Sequence, residues 1–153
     1  MSIAVLIADD HELVRWGLRL VLLRNGFSVA AEASTPLEAV AHAMDPDVQV
    51  VLLDLSWASC TNVGRDEGVK VLRAIRWARP SLAVLMYSVE ARSECIERCR
   101  REGASGYLIK GLDDAVLAWA VRAVHAGEQV WPESRHARPP VRAANAASRT
   151  VRR

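Results

Sequence analysis

Asp9, Asp10, Asp54, Ser88 and Lys110 are scattered along the chain, yet each falls at the end of an apolar run of strand length. "IAVLIA" precedes the aspartate pair, "VQVVLLDL" contains Asp54, "LAVLMYS" ends in Ser88 and "GASGYLIK" ends in Lys110. A carboxylate in a run as apolar as "VVLLDL" needs a partner, because a buried unpaired charge costs several kcal/mol or takes up a proton. Three carboxylates brought together repel one another unless a cation joins them, and a hard, oxygen-seeking ion such as Mg²⁺ suits such a group. Lys110 adds a fixed positive charge and Ser88 a hydroxyl donor. The combination suits a phosphoryl group, with the cation and Lys110 neutralising its oxygens and Ser88 orienting one of them. Asp54 is the candidate nucleophile, since a carboxylate can accept phosphate covalently. Taken singly, each residue has a plainer reading. An Asp-Asp pair before a helix is an N-cap and dipole partner, a strand-end serine binds backbone, and a lysine is a solvated surface group. Their shared place at strand ends is what argues for a site.

For these residues to meet, the strands must run parallel and end on one rim. Residues 3–8 read as a first strand and 11–24 as a helix, with Leu13, Val14, Gly17, Leu18, Val21 and Leu22 spaced for a buried stripe and Asn25-Gly26 as the stop. Residues 27–33 form a second strand. Ser34 or Thr35 caps the next helix, which holds Pro36 in its first turn and ends near Asp45-Pro46. Residues 48–55 are the third strand, followed by a long polar loop through Asp66. Residues 68–78 read as a helix with Val69, Leu72 and Ile75 inward, 82–88 as the fourth strand, and 90–102 as the fourth helix. The fifth strand ends at Lys110, and residues 112–126 form a last helix closed by Gly127. Regular alternation of strand and helix predicts a parallel sheet covered on both faces. In such sheets ligands bind outside the carboxyl ends of the strands, which is where the five polar residues fall.

A chain of 153 residues, half of it hydrophobic and a quarter charged, suits one domain with a sizeable core. No apolar run spans a bilayer, and the N-terminus lacks the basic region of a signal peptide, so the expected compartment is the cytoplasm, with no membrane partner. Cys60, Cys95 and Cys99 are expected as free thiols; Cys95 and Cys99 share a helix face but have no further ligands nearby for a metal. All 18 acidic residues precede residue 134, and six of the 20 basic ones follow it. A mildly acidic body therefore carries a basic tail rich in Pro, Ala and Arg, expected to be a flexible linker.

"LIADDHELVRWGLRLVL", "VVLLDLS", "VLMYS" and "ASGYLIK" resemble the receiver domain of two-component response regulators, in the subfamily with a LuxR/FixJ-type helix-turn-helix output. The resemblance covers residues 2 to about 128. It implies a flavodoxin-like (βα)5 fold, a doubly wound five-stranded parallel sheet of order 2-1-3-4-5, and a signalling domain that is no enzyme beyond its own phosphotransfer and dephosphorylation. It further implies that Asp9 and Asp10 hold Mg²⁺ with Asp54 and the backbone carbonyl of Ser56, and that Asp54 accepts phosphate from a sensor histidine kinase. Ser88 would move toward the phosphoryl group, Lys110 would pair with it, and Tyr107 would be the switch aromatic that turns inward. Without the family, Tyr107 reads as a plain strand aromatic.

The chain departs from the family in places. Trp57 stands where Met is usual and Ala58 where Pro is usual, and the loop of residues 55–67 is about six residues longer than common, a tolerated insertion or a modulator of the site. Ser56 and Glu90 sit two residues beyond Asp54 and Ser88, where receivers tune dephosphorylation. His11 reads as a first-turn surface residue. On this reading residues 1–128 are the receiver and 129–153 the tail, DNA would be bound only through an output domain absent from this chain, and a cut chain, a truncated gene and a single-domain receiver all remain open. Trp119 lies off the core stripe of Leu117, Val121 and Val124. With Trp16 it is a candidate anchor for a homodimer through helix five with helix one or four, unless it packs on a neighbouring helix or the tail. Rival functions are a stand-alone phosphorelay or pseudo-receiver that binds protein, and an aspartyl-phosphate phosphatase of the haloacid-dehalogenase kind. The latter needs a second carboxylate where Ser56 stands. A flavodoxin-like cofactor binder would need a phosphate-cradling loop where "ADDHE" is acidic.

Overall fold

Strands apolar on both faces need cover on both sides, and the buried side chains divide accordingly. The computed structural model describes residues 1–57, 67–111 and 113–133. Its elements alternate as β1 (Ala4–Ala8), α1 (Glu12–Arg24), β2 (Ser28–Ala33), α2 (Pro36–Ala43), β3 (Val50–Leu53), α3 (Glu67–Ala78), β4 (Ala83–Ser88), α4 (Ser93–Arg101), β5 (Gly106–Ile109) and α5 (Asp114–His125). All strand pairs are parallel and the order is β2-β1-β3-β4-β5, the flavodoxin-like arrangement expected. Leu6, Val51, Leu53, Val84, Met86 and Tyr107 face α2, α3 and α4, while Val5, Ile7, Val50, Leu52, Leu85 and Leu108 face α1 and α5. That is the period-2 alternation of a strand buried on both faces.

Helix ends follow local chemistry. Thr35 is the cap of α2: its Oγ1 accepts the Glu38 N–H at 3.1 Å, and the Glu38 carboxylate accepts the Ser34 N–H at 2.8 Å, a reciprocal pair much like a capping box. Asp113 caps α5 by accepting the Ala115 N–H. Leu112, Cys60 and the other residues of 58–66, and the basic tail from residue 134, lie outside the described residues.

Three expectations need correction. On α1 only Leu18 and Leu22 are buried, with Val14 and Val21 half-buried; Leu13 and Gly17 face outward. Leu13, Trp16, Leu20 and Leu23 instead form an exposed apolar row, each at least half accessible. The six-residue stripe expected from the sequence is wider than the contact with the sheet. Second, residues 129–131, expected in the linker, pack on the body. Val130 N–H donates to the Ser105 carbonyl and Tyr107 N–H to the Val130 carbonyl, and Val130 and Trp131 are buried. Third, Trp119 is half-buried against the cluster under α1 and α5, so packing on neighbouring elements describes it better than an exposed anchor. Among the described residues no helix is long and apolar enough to cross a membrane.

Candidate functional site

β1 ends at Ala8 and β3 at Leu53, neighbours in the sheet, so Asp9 and Asp54 emerge side by side. The backbone fixes both: Asp54 N–H donates to the Ala8 carbonyl at 2.9 Å, and Asp9 N–H to the Ala33 carbonyl at 3.1 Å. Lys110 follows β5, and its backbone N–H donates to the Ser88 carbonyl at the end of β4. From there its ammonium donates to Asp9 Oδ2 at 2.8 Å and lies 3.4 Å from Asp54 Oδ2. The sheet thus brings Asp9, Asp10, Asp54, Ser88 and Lys110 to one rim.

Asp9, Asp54 and Ser88 are buried, at 2%, 4% and 0% exposure, and burial sets the electrostatics. Burial pushes the Asp54 carboxyl up to about 6; Lys110 opposes the rise and the Asp9 charge adds to it. Burial alone would lower the Lys110 ammonium, but its bond to Asp9 and the charge of Asp54 outweigh that and raise it. Ligand oxygens of Asp9, Asp10 and Asp54 and a ring nitrogen of His11 all lie within 4.8 Å of one another. Three carboxylates at this spacing form a donor set that fits a hard divalent cation.

Two further residues join this site, neither of them a candidate on its sequence signal. His11 is solvent-facing as expected, yet its Nδ1 lies 3.1 Å from Asp9 Oδ1 and 3.0 Å from Asp10 Oδ1. The available signal is its position directly after the pair. Trp57, in the sequence a departure from the family pattern, is buried, and its Nε1–H donates to the Asp54 backbone carbonyl at 3.1 Å. Ser56 is exposed; its N–H donates to Asp54 Oδ1 at 3.3 Å.

On the α4 side, Ser88 Oγ accepts the Glu90 N–H at 3.2 Å, and the Tyr107 hydroxyl donates to the Glu90 carbonyl at 2.7 Å. The Tyr107 ring is fully buried, and burial pushes its hydroxyl well above the ordinary phenol range. Serine, tyrosine and the segment between β4 and α4 therefore form one hydrogen-bonded unit beside Asp54. Nearby on α4, Cys95 and Cys99 are free thiols; burial raises Cys99 to about 12, which leaves it an inert core residue.

The family described as response regulator receiver domain matches residues 5–122. The transcriptional regulatory protein LnrK of Bacillus subtilis is 35% identical over 131 residues, covering 85% of this chain and 57% of LnrK. The nitrate/nitrite response regulator protein NarP of Escherichia coli is 35% identical over 130 residues, 84% of this chain and 58% of NarP. The chain thus spans little more than half the length of these curated relatives. A LuxR-family two-component response regulator from Aurantimonas superposes with a TM-score of 0.74 at 29% identity, covering 84% of this chain and 89% of that one. The isolated receiver domain of RcsB from Salmonella enterica, solved with the phosphomimetic BeF3⁻, gives 0.73 at 22% identity over 87% and 95% of the two chains, a likeness of fold.

Proposed function

Because the chain belongs to the response regulator receiver family, we propose that Asp54 accepts a phosphoryl group from a sensor histidine kinase, with Mg²⁺ held by Asp9, Asp10, Asp54 and the Ser56 carbonyl. The observation that carries this reading is the Lys110 ammonium, from the end of β5, lying within 3.4 Å of both the Asp9 and the Asp54 carboxylates at the ends of β1 and β3. In the step itself an Asp54 carboxylate oxygen bonds to phosphorus, the phosphorus–nitrogen bond of the kinase phosphohistidine breaks, and the imidazole leaves with the electron pair and takes up a proton. Mg²⁺ supplies charge neutralisation of the phosphoryl oxygens. Lys110 gives up part of its hold on the carboxylates to pair with one of those oxygens, and Ser88 exchanges the Glu90 N–H for another. Because Tyr107 holds the Glu90 carbonyl, moving Ser88 moves the start of α4, which changes an interaction face.

LnrK is named a transcriptional regulatory protein, and transcriptional control in the cytoplasm, by DNA binding outside the receiver fold, is the output of this reading. A homodimer through α5 would use α1 rather than α4. The row of Leu13, Trp16, Leu20 and Leu23 is exposed and apolar, whereas Glu94, Glu97 and Arg101 on the outer surface of α4 are charged and exposed. Trp16→Glu is expected to abolish concentration-dependent self-association in sedimentation equilibrium while leaving the melting temperature within about a degree of wild type. Self-association surviving that change would remove α1 from the interface.

The test of the phosphoryl-accepting role is intact mass after incubation with acetyl phosphate. One added phosphoryl group is expected for wild type with Mg²⁺, and none without Mg²⁺ or in Asp54→Asn. A wild type that gains nothing, and binds no beryllofluoride either, would identify a pseudo-receiver that works by binding alone.

A further inference from the structure

Trp57 occupies a position that packing alone does not explain. Its indole is 1% exposed and belongs to the core cluster shared by α2, α3 and α4. Its one polar atom is spent on the Asp54 backbone carbonyl, three residues back. In the same short stretch Ser56 N–H donates to Asp54 Oδ1. Two bonds therefore fold residues 55–57 back onto Asp54, one gripping its main chain and one its side chain. The peptide between Ser56 and Trp57 carries the Ser56 carbonyl. A buried ring on one side of that peptide and a hydrogen-bonded N–H on the other restrict its rotation.

The Asp54 main chain is held from other directions as well. Its N–H is bound to β1 through Ala8. Gly68, at the start of α3, packs so closely that a Cβ there would lie 2.5 Å from the Asp54 carbonyl oxygen and from Leu55 Cα. The Trp57 indole is the grip nearest the point where the chain enters the long polar loop expected from the sequence.

We propose that Trp57 is a positioning residue for the cation site: its indole N–H, by holding the Asp54 carbonyl, fixes the Asp54–Trp57 turn in the geometry that binds Mg²⁺ and receives the phosphoryl group. The inference rests on the function proposed above. Residues that orient metal ligands without touching the metal commonly change affinity by about 10- to 100-fold when lost, and a main-chain grip belongs at the lower end of that range.

The experiment is a calorimetric Mg²⁺ titration of the full chain as wild type, Trp57→Phe and Trp131→Phe, with acetyl phosphate labelling rates at saturating Mg²⁺. Trp57→Phe keeps a buried ring and removes the donor. Trp131 is buried to a similar degree and donates its Nε1–H to Gln129, so Trp131→Phe makes the same chemical change away from Asp54. The expected result is Mg²⁺ affinity about tenfold weaker in Trp57→Phe and unchanged in Trp131→Phe, with the labelling rate of Trp57→Phe largely restored at saturating Mg²⁺. Equal Mg²⁺ affinity in wild type and Trp57→Phe overturns the inference, as does an equal loss in both variants. If Trp57→Phe shows no cooperative melt, Trp57→Met takes its place: it also lacks a donor, is the residue usual in the family, and supports or overturns the inference by the same comparison. A wild type that neither binds Mg²⁺ nor takes phosphate would instead sink the proposed function.

Discussion

Asp54→Asn is expected to stabilise the metal-free chain at neutral pH, by up to about 3 kcal/mol, and to raise its thermal midpoint by several degrees. Burial is the cause. Only 4% of Asp54 is exposed, and its carboxyl is carried from 3.8 to about 6 because desolvation and the Asp9 charge outweigh the attraction of Lys110. The sign follows from the protons bound in each state. Below pH 3.8 the carboxyl is neutral in both folded and unfolded chains, so its stabilising contribution is fully present. As pH rises toward 6 the unfolded chain ionises freely while the folded one holds its proton, and stability is lost with each step. Above 6 the loss is complete. Asparagine does not titrate, so the gap between variant and wild type opens above about pH 4 and levels off above about pH 6. Urea melts of both proteins at about pH 4 and about pH 7.5, in chelator, measure it. Equal stabilities at both pH values would mean that Lys110 fully compensates the buried charge. Saturating Mg²⁺ narrows the gap, because an ion bound only by the folded wild type adds its binding free energy to that state.

The same buried charge explains why the site is readable from the sequence. An aspartate in "VVLLDL" violates the local pattern, and such violations concentrate where function is. The parallel sheet is equally legible, because β1, β3 and β4 are apolar on both faces and a parallel sheet with helices on either side buries such strands; its order comes only from the family resemblance, since no residue pattern declares which strands are neighbours. The illegible features are those that leave no period. Val130 and Trp131 dock on β5 through one bridge, and two apolar residues in "GEQVWPESR" give no strand signal. On α1, apolar residues cover more than the inward face, so composition does not separate Leu18 and Leu22, which meet the sheet, from Leu13 and Trp16, which do not. Trp57 is visible as an oddity, but the direction of its N–H depends on how the chain turns after Asp54, which no residue type declares. A histidine in a first helical turn is ordinarily a surface residue, and only the folded chain brings the His11 Nδ1 to both aspartates.

Gly68→Ala is expected to destabilise the chain by about 3 kcal/mol or more, although helix propensity points the other way. Alanine inside a helix is favoured over glycine by about 1 kcal/mol, and Gly68 is the second residue of α3. Sterics decide the balance. A Cβ at position 68 would sit 2.5 Å from the Asp54 carbonyl oxygen, from Leu55 Cα and from the Leu55 carbonyl oxygen. All three are backbone atoms and cannot rotate aside. Gly68 N–H also donates to the Leu55 carbonyl, so backing α3 away to make room breaks that bond. Overpacking of a core by one methyl typically costs about 1–3 kcal/mol when side chains can adjust; here the strand end or the helix must move as a whole. Gly17 is the internal control, since a Cβ there meets nothing within 4 Å and Gly17→Ala on the same scale should gain up to about 1 kcal/mol. Urea denaturation of the two variants should therefore shift in opposite directions. Gly68→Ala as stable as wild type would show that α3 is free to withdraw from Asp54. A variant that stays folded at reduced stability would carry the displacement into the site, because the atom the new methyl strikes is the carbonyl that Trp57 holds, and its Mg²⁺ affinity should fall in the same direction as that of Trp57→Phe.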